Sequence, residues 1–438
     1  MFSRPAIVVV LLGLAAGLGR GQPYVEDSID VGGTWVGSLA YNRQAGVIYG
    51  TSEQSGYFFA ISCDSARVIS TTYRDYPLDI AFDSTDCKAY FVQRSRDVDS
   101  VIVIDGHTHR RTAAIPLMWA NKLVWDGESD RLYVSCNEEE NAVAVIDCSV
   151  DTLICMIPVG EGPLGLDINT RHRKLYVRNV DGYSVSIVDM QTNQVLRTIP
   201  VGWPSIAGCY HAGVDKYYCD GGSAVVAISG ARDSVVARIP LQPAAVNCLC
   251  PVPSTNQVMT GTSMLSSSSV YVIDASADTV LGILPVGRDA YRMLWSPLSR
   301  VVYCTASFED RLYMLTDDGG RVLSSVATSG NPFALALARD RGALYVGHLE
   351  SRMVYVIRDT IAGIAEQQPV RQEARRPNTI LRGSLLWAGR ERGHVVDAQG
   401  RTVAELEPGR NDLGRLAAGV YMVVHAKTGT NTKLVKLR

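Results

Sequence analysis

The chain has 438 residues and a net charge of −2, so one ordinary core is too small for it and repetition or several domains is expected. The near-balance of charge, with no basic stripe, excludes nucleic acid as a partner and gives no pull toward anionic lipid.

Residues 1–21 read as an export signal. Arg4 supplies the positive start, Ala6 to Leu18 form an apolar run too short to span a bilayer, and Gly17, Gly19 and Gly21 provide small residues for cleavage. No cysteine follows the run closely enough for a lipid anchor, and no later segment is apolar enough to be a transmembrane segment. The mature chain is therefore expected to be exported and soluble.

From residue 22 to residue 361 one pattern repeats. A tyrosine in a Leu-Tyr-Val-like setting recurs at Tyr49, Tyr90, Tyr133, Tyr176, Tyr218, Tyr303 and Tyr345, with Met259 in the sixth place, at intervals of 41 to 44 residues. The unit from Asn121 to Gly160 shows what is repeated: four short β-rich runs separated by turn residues, including Arg131-Leu-Tyr-Val-Ser135 and Ala142-Val-Ala-Val-Ile-Asp147. A fixed period of this size with four strands per unit predicts a β-propeller. Asp105, Asp147, Asp189 and Asp274 close the third strands, where turn amides are their natural partners. The tyrosines are expected to pack between neighbouring units.

Leu132-Tyr-Val-Ser, Leu175-Tyr-Val-Arg-Asn179, Leu344-Tyr-Val-Gly and Ile157-Pro-Val-Gly160 resemble the YVTN family of propeller repeats over about residues 24–361. That resemblance implies an extracytoplasmic or cell-surface protein, and seven blades are common among such proteins. Lys216-Tyr-Tyr-Cys219 and Val258-Met-Thr260 depart from the pattern. Eight anchors favour eight blades, with seven as the alternative. The last unit lacks a fourth strand, and Asp27-Ser-Ile-Asp-Val-Gly32 resembles the fourth strand Arg197-Thr-Ile-Pro-Val-Gly202, so the N-terminal segment is expected to latch the ring.

Ten cysteines in an exported chain invite a disulfide reading. Cys148 with Cys155, and Cys209 with Cys219, flank turns and are either cross-strand disulfides or small buried apolar side chains. Cys248 and Cys250 share one strand face and do not face each other.

Residues 362–382, with Pro369 and Pro377, read as a linker. Residues 383–438 then carry five short strand-like runs and predict a small β-sandwich, with turns at Ala398-Gln-Gly-Arg401 and Glu407-Pro-Gly-Arg-Asn411. Val396-Asp-Ala-Gln-Gly-Arg-Thr-Val403, Leu416-Ala-Ala-Gly-Val-Tyr421 and Lys433-Leu-Val-Lys436 resemble the C-terminal sorting domain of the type IX secretion system, although the usual opening Pro-Asn-Pro is present only as Arg376-Pro-Asn378. The resemblance implies recognition by an outer-membrane export machinery, removal of the domain and attachment to the surface.

None of the familiar nucleophile, P-loop, zinc or calcium motifs is present. His107-Thr-His109 and Asp317-Asp-Gly-Gly320 are turns before they are ion sites. No cofactor is expected. Counting back eleven residues from each anchor places Ser38, Asp79, Lys122, Gly165, Ala207, Cys248, Arg292 and Ala334 on the central channel. The same face should carry Trp35, Trp119 and Trp203 from the connections between blades, with Arg94, Arg96 and Glu138–Glu140 from loops. Trp35, Asp79, Trp119, Lys122, Trp203 and Arg292 are the candidate ligand-binding residues, since mixed charge and aromatics at a concave mouth suit a ligand. The expected function is a non-enzymatic module binding a protein or glycan at the cell surface. The alternative is a hydrolase or lactonase-like enzyme with a channel metal held by Asp79, Asn121, Asp167 and Asn247.

Overall fold

The computed structural model describes residues 24–73, 76–96, 98–241, 245–263 and 268–359, and seven shorter stretches between 379 and 436. The signal segment and residues 362–378 of the linker lie outside the described residues. The chain divides into two compact units, 1–364 and 365–438. No helix among the described residues is long and apolar enough to cross a membrane.

The first unit is a ring of eight four-stranded antiparallel sheets. Blade 3 is representative, with strands Ala120–Asp126, Arg131–Cys136, Ala142–Asp147 and Thr152–Pro158 paired in sequence order. The innermost strands are Val36–Asn42, Tyr76–Asp83, Ala120–Asp126, Pro163–Asn169, Gly208–His211, Ala245–Val252, Ala290–Ser296 and Pro332–Ala338. Each touches the innermost strands of its two neighbours, closing the ring. Sheets packed on both faces bury most residues of their middle strands. The third strand of blade 3 therefore reads as an unbroken apolar run, Ala142 to Ile146, rather than an alternation. Outermost strands such as Gln194–Pro200 face solvent along most of their length. The core lies between blades: Tyr90, Val101 and Val103 of blade 2 pack against Leu132, Val134, Ala144 and Ile146 of blade 3.

Ring closure follows the expected latch. Tyr24–Asp30 is the outermost strand of blade 8 and pairs antiparallel with Met353–Arg358, with Ile29 opposite Val354. Ile29 is the buried residue of this strand. Arg352 Nη2 reaches Asp30 at 2.8 Å, and Arg358 pairs with Glu26.

The repeated tyrosines join blades through their hydroxyls. Tyr133 donates to the Met190 carbonyl, Tyr90 to Asp151 at 2.7 Å, Tyr218 to the Ala275 carbonyl at 3.0 Å and Tyr303 to Asp359 at 2.7 Å. Each acceptor lies in the turn after the third strand of the next blade. Within those turns Asp105, Asp147, Asp189 and Asp274 accept from backbone amides, including Thr108, Ser149, Gln191 and Ser276. In all eight blades the turn between first and second strands ends on a left-handed residue: Gly46, Cys87, Asp130, Arg173, Asp215, Asn256, Arg300 and Gly342, with φ from 51° to 63°.

All ten cysteines are free thiols, so neither of the two possible disulfides is formed. The registers explain this: Cys155 lies opposite Val145, Cys209 opposite Tyr218 and Cys219 opposite Gly208. A one-residue offset between neighbouring strands sends Cys209 and Cys219 to opposite faces of the blade.

In the second unit, a five-stranded sheet runs in the order Thr379–Leu381, Asn431–Lys436, Gly419–His425, Gly393–Val396, Thr402–Leu406, and Ser384–Trp387 pairs with Gly409–Asp412. Two expectations are corrected. Thr379–Leu381, assigned to the linker, pairs in parallel with the last strand. Gly409–Asp412, assigned largely to a turn, is itself a strand. The Ala398–Gly400 part of the other turn lies outside the described residues.

Candidate functional site

Most first strands enter the sheet through a bulge. The register skips between Val36 and Leu39, Pro77 and Ile80, Ala120 and Leu123, and Ala290 and Met293. A bulge frees an amide and re-aims the side chains around it. The freed amides of Ser38, Lys122 and Arg292 are met by hydroxyls of the second strand: Thr51 at 3.1 Å, Ser135 at 3.1 Å and Thr305 at 3.0 Å. These bulges set the channel residues around one mouth of the axis.

A cavity of 250 Å³ lies there, and its polar lining is Ser38, Asp79, Lys122 and Arg292. Three of the six expected ligand-binding residues thus come together. Asp79 is fully engaged: it accepts from Ser38 Oγ at 2.9 Å and the Leu123 amide at 3.1 Å, and lies 3.6 Å from Lys122 Nζ. Arg292 is held differently. Its guanidinium lies 4.9 Å from the Phe333 ring centre and 5.3 Å from that of Tyr291. Two aromatic faces can hold a cation without neutralising it.

Trp35, Trp119 and Trp203 precede blades 1, 3 and 5 and do not line this cavity. Trp35 and Trp119 are left-handed, both with φ 59°. Gly162, Asp289 and Asn331 hold the same conformation before blades 4, 7 and 8, so the conformation belongs to the connection between blades. Its amide is bound by the preceding blade (Trp119 to Asp99 at 3.0 Å, Trp35 to the Leu349 carbonyl at 2.7 Å). A bulky aromatic in that conformation costs on the order of 1 kcal/mol. Trp35 is 39% and Trp203 50% exposed. Arg94 is tied down by Asn137 at 2.9 Å and Glu138 at 3.5 Å.

Two residues of the axis were not found from the sequence. Glu53 follows the second strand of blade 1, and its carboxylate occupies the space a Cβ on Gly37 would need. Burial raises its pKa to about 7, with Lys122 opposing and Asp79 reinforcing the shift. The same loop rule that selected Arg94 and Glu138 in blades 2 and 3 selects Glu53 in blade 1. Arg178 stands where other blades place Thr51, Ser135 or Gly347, and this substitution was the available signal. It bonds Asp167 at 2.8 Å and Tyr217 at 3.2 Å. Its guanidinium fills the space beside Gly165 and Gly208, where a methyl group would collide with it.

Of the ligands considered for a channel metal, Asp79 and Asp167 are bonded to protein donors, and Asn247 donates to Asp289 at 2.8 Å. His109 is bonded to Tyr49 at 2.6 Å rather than paired with His107. The opposite end of the axis holds a larger cavity of 730 Å³, lined by Tyr41, Arg43, Phe82, Ser84, Leu337, Arg339 and Asp340.

A closed ring of eight four-stranded blades with an axial mouth defines an all-β, eight-bladed β-propeller. Among solved structures the chain is similar to one in "Crystal Structure of Mitotic Checkpoint Complex", with a TM-score of 0.55, 14% identity, and coverage of 82% of this chain and 99% of that chain. At that identity the likeness is one of fold. No family model and no curated protein matches the chain.

Proposed function

We propose that the chain is an exported, non-enzymatic binding module, carried to the cell surface by its C-terminal unit, whose axial mouth takes a protein or glycan ligand through a carboxylate. The observation that carries the ligand reading is Arg292. Lys122 and Arg178 each face an aspartate, at 3.6 and 2.8 Å, whereas Arg292 has no carboxylate partner among the described residues. A guanidinium propped on aromatic faces keeps its in-plane donors for a bidentate acceptor. The similar propeller comes from a multiprotein complex, which supports an interaction role for the fold. The export reading is supported by the signal-like N-terminus, the YVTN-like repeats and the likeness of residues 383–438 to a type IX sorting domain.

A chain truncated after Ile364 should fold and fail to reach the surface; normal display of that truncation contradicts the delivery role. For the ligand, the full chain should select carboxylate-bearing members from arrays of glycans and of acidic peptides. Selection of neutral or basic members only would refute the Arg292 reading.

Glu53 favours a second reading. A carboxyl group with a pKa of about 7 beside Asp79 and Lys122 suits general acid–base chemistry on a bound ester or glycoside. Hydrolysis of such a substrate, abolished in Glu53→Gln, would establish it.

A further inference from the structure

At two seams the last residue of a first strand meets the left-handed turn residue of the next blade as a chemically matched partner. Asn42 meets Cys87 at 3.5 Å and also donates to the Gly106 carbonyl at 3.1 Å. Asp126 meets Arg173 with Nη1 at 2.8 Å. The seam between blades 2 and 3 has no such match. Asp83 and Asp130 occupy the two positions, and the thiol of Cys148 joins them, with all three ligand atoms within 4.8 Å of one another.

Among the described residues no cation pairs with either carboxylate of this group. Asp83 is fully buried; its Oδ1 accepts from the Thr85 and Asp86 amides, while its Oδ2 has no hydrogen-bond partner. Asp130 accepts one bond, from Trp125 Nε1 at 3.2 Å. Lys88, which reaches the Cys148 carbonyl, is committed to Asp151 at 3.1 Å and Asp86 at 3.5 Å. A buried carboxylate and a half-buried one beside a buried thiol, without a counter-charge, are unfavourable.

We infer that Asp83, Asp130 and Cys148 bind a divalent cation of the zinc class, which staples blade 2 to blade 3. Tetrahedral zinc with metal–oxygen and metal–sulfur bonds of about 2.0–2.3 Å sets its ligand atoms roughly 3.3–3.5 Å apart, so side-chain movement of about an ångström closes the group on an ion. A thiolate with two carboxylates selects a borderline metal over calcium or magnesium, which take oxygen alone. Cys148 loses its proton on binding, and a water supplies the fourth ligand. The site is separate from the axial mouth.

The test uses the full chain, loaded with zinc or cobalt(II) and freed of unbound metal. About one metal per chain is expected, with a melting temperature that falls on chelation and recovers with zinc. The cobalt form should show a thiolate-to-metal absorption that disappears in Cys148→Ser. Asp83→Asn should weaken zinc at least tenfold. Wild-type protein that holds no zinc, or a cobalt–thiolate band that survives in Cys148→Ser, overturns the site. So does an Asp83→Asn variant with undiminished zinc affinity, and so does one more stable than metal-loaded wild type, which would show two carboxyl groups sharing a proton.

Discussion

Tyr303 shows how one side chain ties blades together. It is fully buried, and its hydroxyl donates to Asp359, whose other oxygen accepts from Ser296. Tyr303→Phe leaves that buried carboxylate short of a donor and should cost about 1–3 kcal/mol in urea unfolding. An unchanged midpoint and slope would show that the repeated tyrosines act by shape alone. Asp220 gives a second residue-scale prediction. It is 1% exposed, and burial raises its pKa from 3.8 to about 7 against the Gly222 amide that donates to it. A carboxyl raised in the folded state binds its proton more tightly there than in the unfolded chain. Its stabilising contribution is therefore complete below pH 3.8 and is lost as pH rises through about 7. Melting temperature should fall across that window, and Asp220→Asn should flatten the fall; the same slope in both proteins would contradict it. Some residues were legible from the sequence and others were not. Asp79, Lys122 and Arg292 follow from strand periodicity, because a channel position is a fixed offset from each tyrosine. Arg178 enters the channel from a second strand across two glycines, a path that no count along a first strand reveals.

At the scale of elements, the latch is the feature most open to test. Tyr24–Asp30 completes blade 8 and covers the edge that Met353–Arg358 would otherwise expose. Deleting residues 22–33 should lower the melting temperature and promote aggregation. Unchanged melting and solubility would mean that the ring closes without its N-terminal strand. This element was legible because its apolar spacing repeats that of other fourth strands. The cysteine pairs are not bridged because the hairpin registers do not oppose them: Asp147 already faces Thr152, which leaves Cys155 opposite Val145, and Cys209 faces Tyr218 rather than Cys219. The left-handed turn residues were not legible either. Glycine holds only two of those eight positions, and elsewhere hydrogen bonding within the turn compensates for φ values that other residues seldom adopt.

For the whole molecule, the ring places three channel cations in contrasting states: Lys122 and Arg178 matched by aspartates, Arg292 held between aromatic rings. That contrast makes the mouth, rather than the larger cavity at the other end of the axis, the proposed ligand site. The most direct test is a calorimetric titration of the full chain with the carboxylate ligand its array screen selects, beside Arg292→Ala. The variant should melt as wild type does, because Arg292 makes no ion pair among the described residues, and should bind more weakly by about 1–3 kcal/mol. Equal affinity in the two proteins would contradict the account and move the ligand to another face of the ring.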